Sequence, residues 1–135
     1  MVFVCWRTLA EATVMRVPFE AARDVLPPSP EPPDPRAPGP FSLGDPTHLR
    51  AILDGVGLRD VTLEPFDPPL RIGKTLDEAV SFAMNAGLLV RALGTNPPES
   101  LASAARERVR RALASYETDA GVVLAGAMWL VSAHV

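Results

Sequence analysis

Asp45-Pro46-Thr47-His48-Leu49-Arg50-Ala51-Ile52-Leu53-Asp54-Gly55-Val56-Gly57-Leu58-Arg59-Asp60-Val61-Thr62-Leu63-Glu64 reads as a helix that runs directly into a strand. Asp45 suits the N-cap, Pro46 the first helical position, and Leu49, Ile52, Leu53 and Val56 share one face. Gly55 and Gly57 then end the helix. From Asp60 to Phe66, Val61 and Leu63 alternate with Thr62 and Glu64, the period of a strand with one exposed face, stopped by Pro65, Pro68 and Pro69. Helix followed by strand is the repeating unit of an α/β protein.

Toward the N-terminus, Val2-Phe3-Val4-Cys5-Trp6 is a continuous apolar run of β-branched and aromatic residues, expected to be a strand covered on both faces. It begins without a turn or cap, so a segment upstream of it is expected to be missing. Val17-Pro18-Phe19-Glu20 leads into a short helix to about Leu26, with Pro18 in its first turn. Eight of the fourteen positions in 27–40 are proline, which predicts an extended loop.

Toward the C-terminus, Thr75-Leu76-Asp77-Glu78 matches a capping box, and Leu76, Val80, Ala83, Met84 and Leu88 predict one helix as far as Gly94. Asn96-Pro97 interrupts, and a further helix from about Pro98 to Tyr116 sets Leu101, Ala105, Val109, Ala112, Leu113 and Tyr116 opposite Arg106, Glu107, Arg110 and Arg111. Val122 to Val135 reads as one long strand with a bend or bulge at Gly126. The expected fold class is therefore α/β, with three strands and about four helices. So small a sheet leaves an apolar edge exposed.

Composition narrows the function. The 135 residues, 47% hydrophobic with a formal net charge of -3, suit one domain at most. Scattered charges of weakly acidic balance give no clustered basic face for nucleic acid or an anionic membrane. No apolar run reaches the length a bilayer needs, and no basic region precedes the first apolar stretch as in a secretory signal. Cys5 is the sole cysteine, which excludes an intrachain disulfide and a multi-thiolate zinc site. These features predict a cytoplasmic protein.

Four segments in their order resemble the C-terminal part of bacterial class I S-adenosylmethionine-dependent methyltransferases. They are Val2-Phe3-Val4-Cys5-Trp6-Arg7, Gly39-Pro40-Phe41-Ser42-Leu43-Gly44-Asp45-Pro46, Leu53-Asp54-Gly55-Val56-Gly57-Leu58-Arg59-Asp60-Val61, and Ala127-Met128-Trp129-Leu130-Val131. The resemblance runs from end to end and implies strand five, its helix, strand six, a helical insertion over 75–116 and an antiparallel strand seven. It makes residues 1–135 a single partial domain of a Rossmann-like sheet with strand order 5-7-6. It also implies S-adenosylmethionine as the family's cofactor, a small-molecule methyl acceptor, and a strand four beside strand five.

The chain departs from the family in lacking both the glycine-rich turn after a first strand and the acidic residue after a second. Gly55-Val56-Gly57 follows a helix and precedes a strand, so it reads as a helix C-cap. No residue carries over as cofactor-binding, and the chain alone is expected neither to bind S-adenosylmethionine nor to be active.

Methyl transfer depends on alignment and water exclusion and needs no acid–base dyad, so the expected contribution of this part is a substrate-facing wall. Ligands of open α/β sheets lie beyond the carboxyl ends of the strands. There Trp6 can stack on an apolar acceptor and Arg7 can hold a carboxylate; alternatively Trp6 is core and Arg7 a surface charge. Phe41, after the long loop, is the third substrate-side candidate, as lid or as plug. Met84 and Leu88 read as pocket lining or core filler. Asp45 and His48 have a spacing open to a metal, but Asp45 is explained as a cap, and no metal is expected. His134 reads as an exposed strand end and Cys5 as an inert thiol, while none of Ser42, Ser81, Ser100, Ser103, Ser115 and Ser132 sits in a nucleophile elbow. No catalytic residue is assigned. The alternative function is a non-catalytic α/β module that binds a partner or self-associates through the edge of its first strand.

Overall fold

The computed structural model describes residues 1–28 and 34–135. Among them it is a mixed α/β protein with five helices and two three-stranded antiparallel sheets. They form two compact units: Met1–Ala12, Pro32–Pro68 and Gly126–Val135 in the first, Thr13–Glu31 and Pro69–Ala125 in the second. Part of the proline-rich loop expected over 27–40 lies outside the described residues. Over 34–37 the chain makes a turn, with the Asp34 carboxylate accepting from the Arg36 amide at 2.9 Å.

The first unit contains β1 (Val2–Trp6), α2 (Pro46–Gly55), β2 (Arg59–Phe66) and β6 (Met128–His134); the intervening elements belong to the second unit. Its sheet has the order β1-β6-β2, with β6 antiparallel to both neighbours, so β1 and β2 run parallel to each other. Asp45 caps α2 by accepting from the amides of Thr47 (2.9 Å) and His48 (3.3 Å). At the other end Gly57, at φ 84°, donates its amide to Asp54 at 3.0 Å. Leu49 and Leu53 pack on Val61, Val131 and Ala133, with Phe3, Cys5 and Trp129 at the margin.

The register sorts this sheet into two faces. Phe3, Cys5, Val131, Trp129 and Leu63 point toward α2, whereas Val2, Val4, Trp6, Leu130, Met128, Glu64 and Phe66 point the other way. Val2 and Val4 are 70% and 51% exposed, so the first strand is covered on one face, not two. An all-apolar run does not reveal which of its faces a neighbouring element will reach.

The second unit holds α1 (Thr13–Ala22), β3 (Pro69–Gly73), α3 (Leu76–Met84), α4 (Gly87–Leu93), α5 (Glu99–Ala114), β4 (Glu117–Thr118) and β5 (Gly121–Ala125), with sheet order β3-β5-β4. Val80, Val109, Leu113, Val122 and Leu124 are its largest fully buried side chains. Thr75 caps α3 through the Glu78 amide (3.2 Å), but Glu78 reaches the Lys74 amide (2.7 Å) instead of closing the reciprocal box.

Four further elements differ from what the sequence predicts. The helix expected from Pro18 starts at Thr13, which puts Pro18 inside α1 on the buried stripe Val14, Pro18, Ala22; burial of that stripe outweighs the lost amide. The single helix expected over 75–94 is two, broken where the Asn85 side chain donates to the Ser81 carbonyl (2.8 Å) and Gly87 turns to φ 42°. The three prolines taken as a stop conceal β3, which opens on Pro69 at a sheet edge where a missing donor is tolerated. The closing strand expected from Val122 to Val135 is also two strands. At Gly126, whose amide donates to the Pro68 carbonyl (2.9 Å), the chain leaves β5 and its sheet and enters β6 in the other. That yields six strands and five helices where three and about four were expected. No helix among the described residues is long and apolar enough to cross a membrane.

Candidate functional site

The carboxyl ends of the parallel strands β1 and β2 lie on either side of the start of β6. There Trp6 pairs in register with Met128, and Met128 with Phe66, forming a row of three large side chains on the face away from α2. Phe66 is 45% exposed, while Trp6 and Met128 are half-buried. Phe41, from the loop preceding α2, extends the row: its ring centroid lies 6.3 Å from that of Trp6 with the planes tilted by 58°, a tilted aromatic contact. The structure thus brings Trp6 and Phe41 together. Phe66 and Met128 escaped the sequence reading because only the register aligns them with Trp6; the signal was their place at the end and start of their strands.

Arg7 follows Trp6 and points to the opposite side. Its Nη1 donates to Asp67 Oδ1 at 2.7 Å, its Nε lies 3.5 Å from Glu11 Oε1, and its guanidinium sits 5.4 Å from the centre of the Trp129 ring. The Trp129 indole N–H in turn donates to the Gly44 carbonyl at 2.9 Å. A Cβ on Gly44 would come within 2.9 Å of the Arg7 carbonyl, so only glycine lets the loop lie this close to the strand end. The Thr8 hydroxyl donates to Glu11 at 2.8 Å, and this bond, more than the neighbouring Arg7, holds the Glu11 carboxyl below its ordinary pKa. Two carboxylates therefore already engage Arg7. A substrate carboxylate would compete with both, and the contacts of Arg7 tie the loop, Trp129 and the β2 end together.

The remaining candidates disperse. Met84 and Leu88 lie half-buried in α3 and α4; Leu88 borders an apolar gap of about 10 Å³, room for one water at most. The Asp45 carboxylate is occupied by the helix amides, and no group of three metal-ligating side chains occurs among the described residues. His134 is exposed, 3.8 Å from Asp60. Burial pushes the Cys5 thiol pKa up, which keeps it protonated and unreactive.

Between α2 and the sheet margin, Pro46, Thr47, Arg50, Asp54, Leu63 and Trp129 border an open depression of about 390 Å³. Arg50 is spent there on the Val61 carbonyl (2.6 Å). The Gly57 amide, turned back onto Asp54, cannot cradle a nucleoside, and among the described residues of this unit no other glycine turn directly follows a strand and opens a helix. This unit therefore offers S-adenosylmethionine no glycine cradle of that kind. No protein-family model matches the chain, and no curated protein matches it.

Proposed function

We propose that this chain is the C-terminal part of a Rossmann-like S-adenosylmethionine-dependent methyltransferase acting on an apolar small molecule, and that it supplies the acceptor-side wall. The observation that supports this reading is the row Trp6, Met128, Phe66, extended by Phe41, at the carboxyl ends of two parallel strands flanking an antiparallel last strand. Open α/β sheets hold their ligands beyond those strand ends. An apolar wall there orients an acceptor and excludes water, which methyl transfer needs more than proton transfer. Trp6 and Phe41 make the contact; Arg7 is a positioning residue. The strand order, read as five, seven, six, belongs to the same proposal.

The test joins the coding DNA upstream of Met1 to an assay. An in-frame strand followed by Gly-x-Gly-x-Gly is expected, and the chain carrying it should transfer labelled methyl to small aromatic acceptors. Trp6→Ala should then raise the acceptor KM about tenfold, the loss of one buried aromatic contact. No such segment, or no transfer when it is present, overturns the reading.

A further inference from the structure

The two outer strands of the first sheet differ in how their edges are protected. The β2 edge carries Arg59, Asp60, Glu64 and Pro65, and its register shifts between Arg59 and Thr62, where Asp60 takes φ 51°. Charges, proline and a bulge are the devices that keep a strand edge from pairing with another chain. The β1 edge has none of them: Val2-Phe3-Val4-Cys5-Trp6 contains no charge, no proline and no register shift.

Its hydrogen-bonding pattern can be read from its ends. Ala133 donates to the Met1 carbonyl at 3.0 Å and Arg7 donates to the Ala127 carbonyl at 2.8 Å, so the odd-numbered residues exchange bonds with β6. In an antiparallel ladder the alternate residues then direct both N–H and C=O outward. Those residues are Val2, Val4 and Trp6, and among the described residues β6 is the only strand beside β1.

We propose that β1 pairs antiparallel with β1 of a second copy of this chain, about a two-fold axis through Val4. Val4 then faces Val4 of the other copy and Val2 faces its Trp6, each as a hydrogen-bonded pair using the outward groups. The strand is complementary to itself because its free donors and acceptors sit symmetrically about Val4, and because none of its five side chains carries a charge. Side chains of facing pairs touch, which covers Val2 and Val4, the two most exposed apolar side chains within a strand of this unit. A five-residue pairing buries roughly 600 Å², at the low end of protein interfaces, so the dimer is concentration-dependent. It does not rest on the methyltransferase reading and competes with it for this edge, because the strand four which that reading sets beside β1 would occupy the same outward groups.

Sedimentation of the purified chain from micromolar to millimolar concentration should show a monomer–dimer equilibrium. Val4→Pro removes an outward amide without touching the β6 ladder and should weaken the dimer about tenfold or more, the loss of a symmetric pair of hydrogen bonds. Val4→Lys, which sets two ammonium groups against each other across the axis, should do the same if the proline variant fails to fold. Val4→Thr keeps shape and amide and should stay within about threefold, a fraction of one hydrogen bond. Amide exchange at Val2, Val4 and Trp6 should slow as the dimer fills. A monomer at every concentration overturns the proposal, as does a dimer that ignores Val4→Pro and Val4→Lys or leaves those amides exchanging at the monomer rate.

Discussion

The two sheets have the same number of strands and opposite exposures. In β3-β5-β4 the central strand places Val122 and Leu124 at 0% and 2% exposure, and the unit's helices α1 and α3 pack against it. In β1-β6-β2 one helix covers one face, and the other presents Val2, Val4, Leu130 and Phe66, each at least 36% exposed. A sheet closed by helices is a folding device. Exposed apolar side chains contiguous over three strands cost solubility and contribute nothing to the stability of the free chain, and such patches mark binding surfaces. Function is therefore to be sought on the first sheet.

The contrast breaks most severely at Gly121, where the second sheet turns. Its φ of 108° is outside the range of β-branched residues, and a Cβ there would collide with the Gly73 carbonyl oxygen. Gly121→Val should cost about 3 kcal/mol or more from strain and overlap together, a large share of the stability of a folded unit. Tyr116, the only tyrosine, reports on it, whereas both tryptophans lie in the first unit. Loss of the tyrosine signal's native anisotropy is the expected result; a native spectrum at wild-type stability would show that the turn can move.

Next in size is the helix-covered face of the first sheet. Leu49 is 1% exposed against Val131 and Ala133, and Leu49→Ala should cost about 2–5 kcal/mol, read as an earlier denaturant midpoint in tryptophan fluorescence. A change below about 1 kcal/mol would mean that α2 is loosely seated and that the two faces of this sheet differ less than their exposures indicate.

The unit containing Asp45 was the most legible because its signals are local. A cap, a first-turn proline and a glycine stop act within a few residues of themselves, and α2 occupies the span they indicate. The closing segment was the least legible. Val122 to Val135 is apolar but for Ser132 and His134, and Gly126 marks a bend without marking that the chain changes sheet there, which depends on where Pro68 lies in space. Pro65, Pro68 and Pro69 misled in the other direction, since proline excludes central strands but not edges. The candidate row of apolar side chains was legible by halves. Trp6 and Phe41 are strand-end and loop aromatics that sequence position alone nominates, whereas Phe66 and Met128 join them only through a register set by long-range pairing.

The smallest expected effect sharpens the comparison most. Phe66 lies on the open face at the end of β2, so Phe66→Ser removes an aromatic ring without opening a cavity, and stability should stay within about 0.5 kcal/mol. Leu49→Ala, one face away, provides the scale. If the open face is a binding surface, a dye that fluoresces on apolar patches should bind the wild-type chain, and Phe66→Ser should reduce that signal while leaving the denaturant midpoint in place. Trp6 fluorescence should shift on dye binding, because Trp6 lies two strands away in the same row. A large loss of stability on Phe66→Ser would mean instead that the ring is a structural contact. The open face would then be part of the fold, and the division between a sheet that folds and a sheet that binds would not hold.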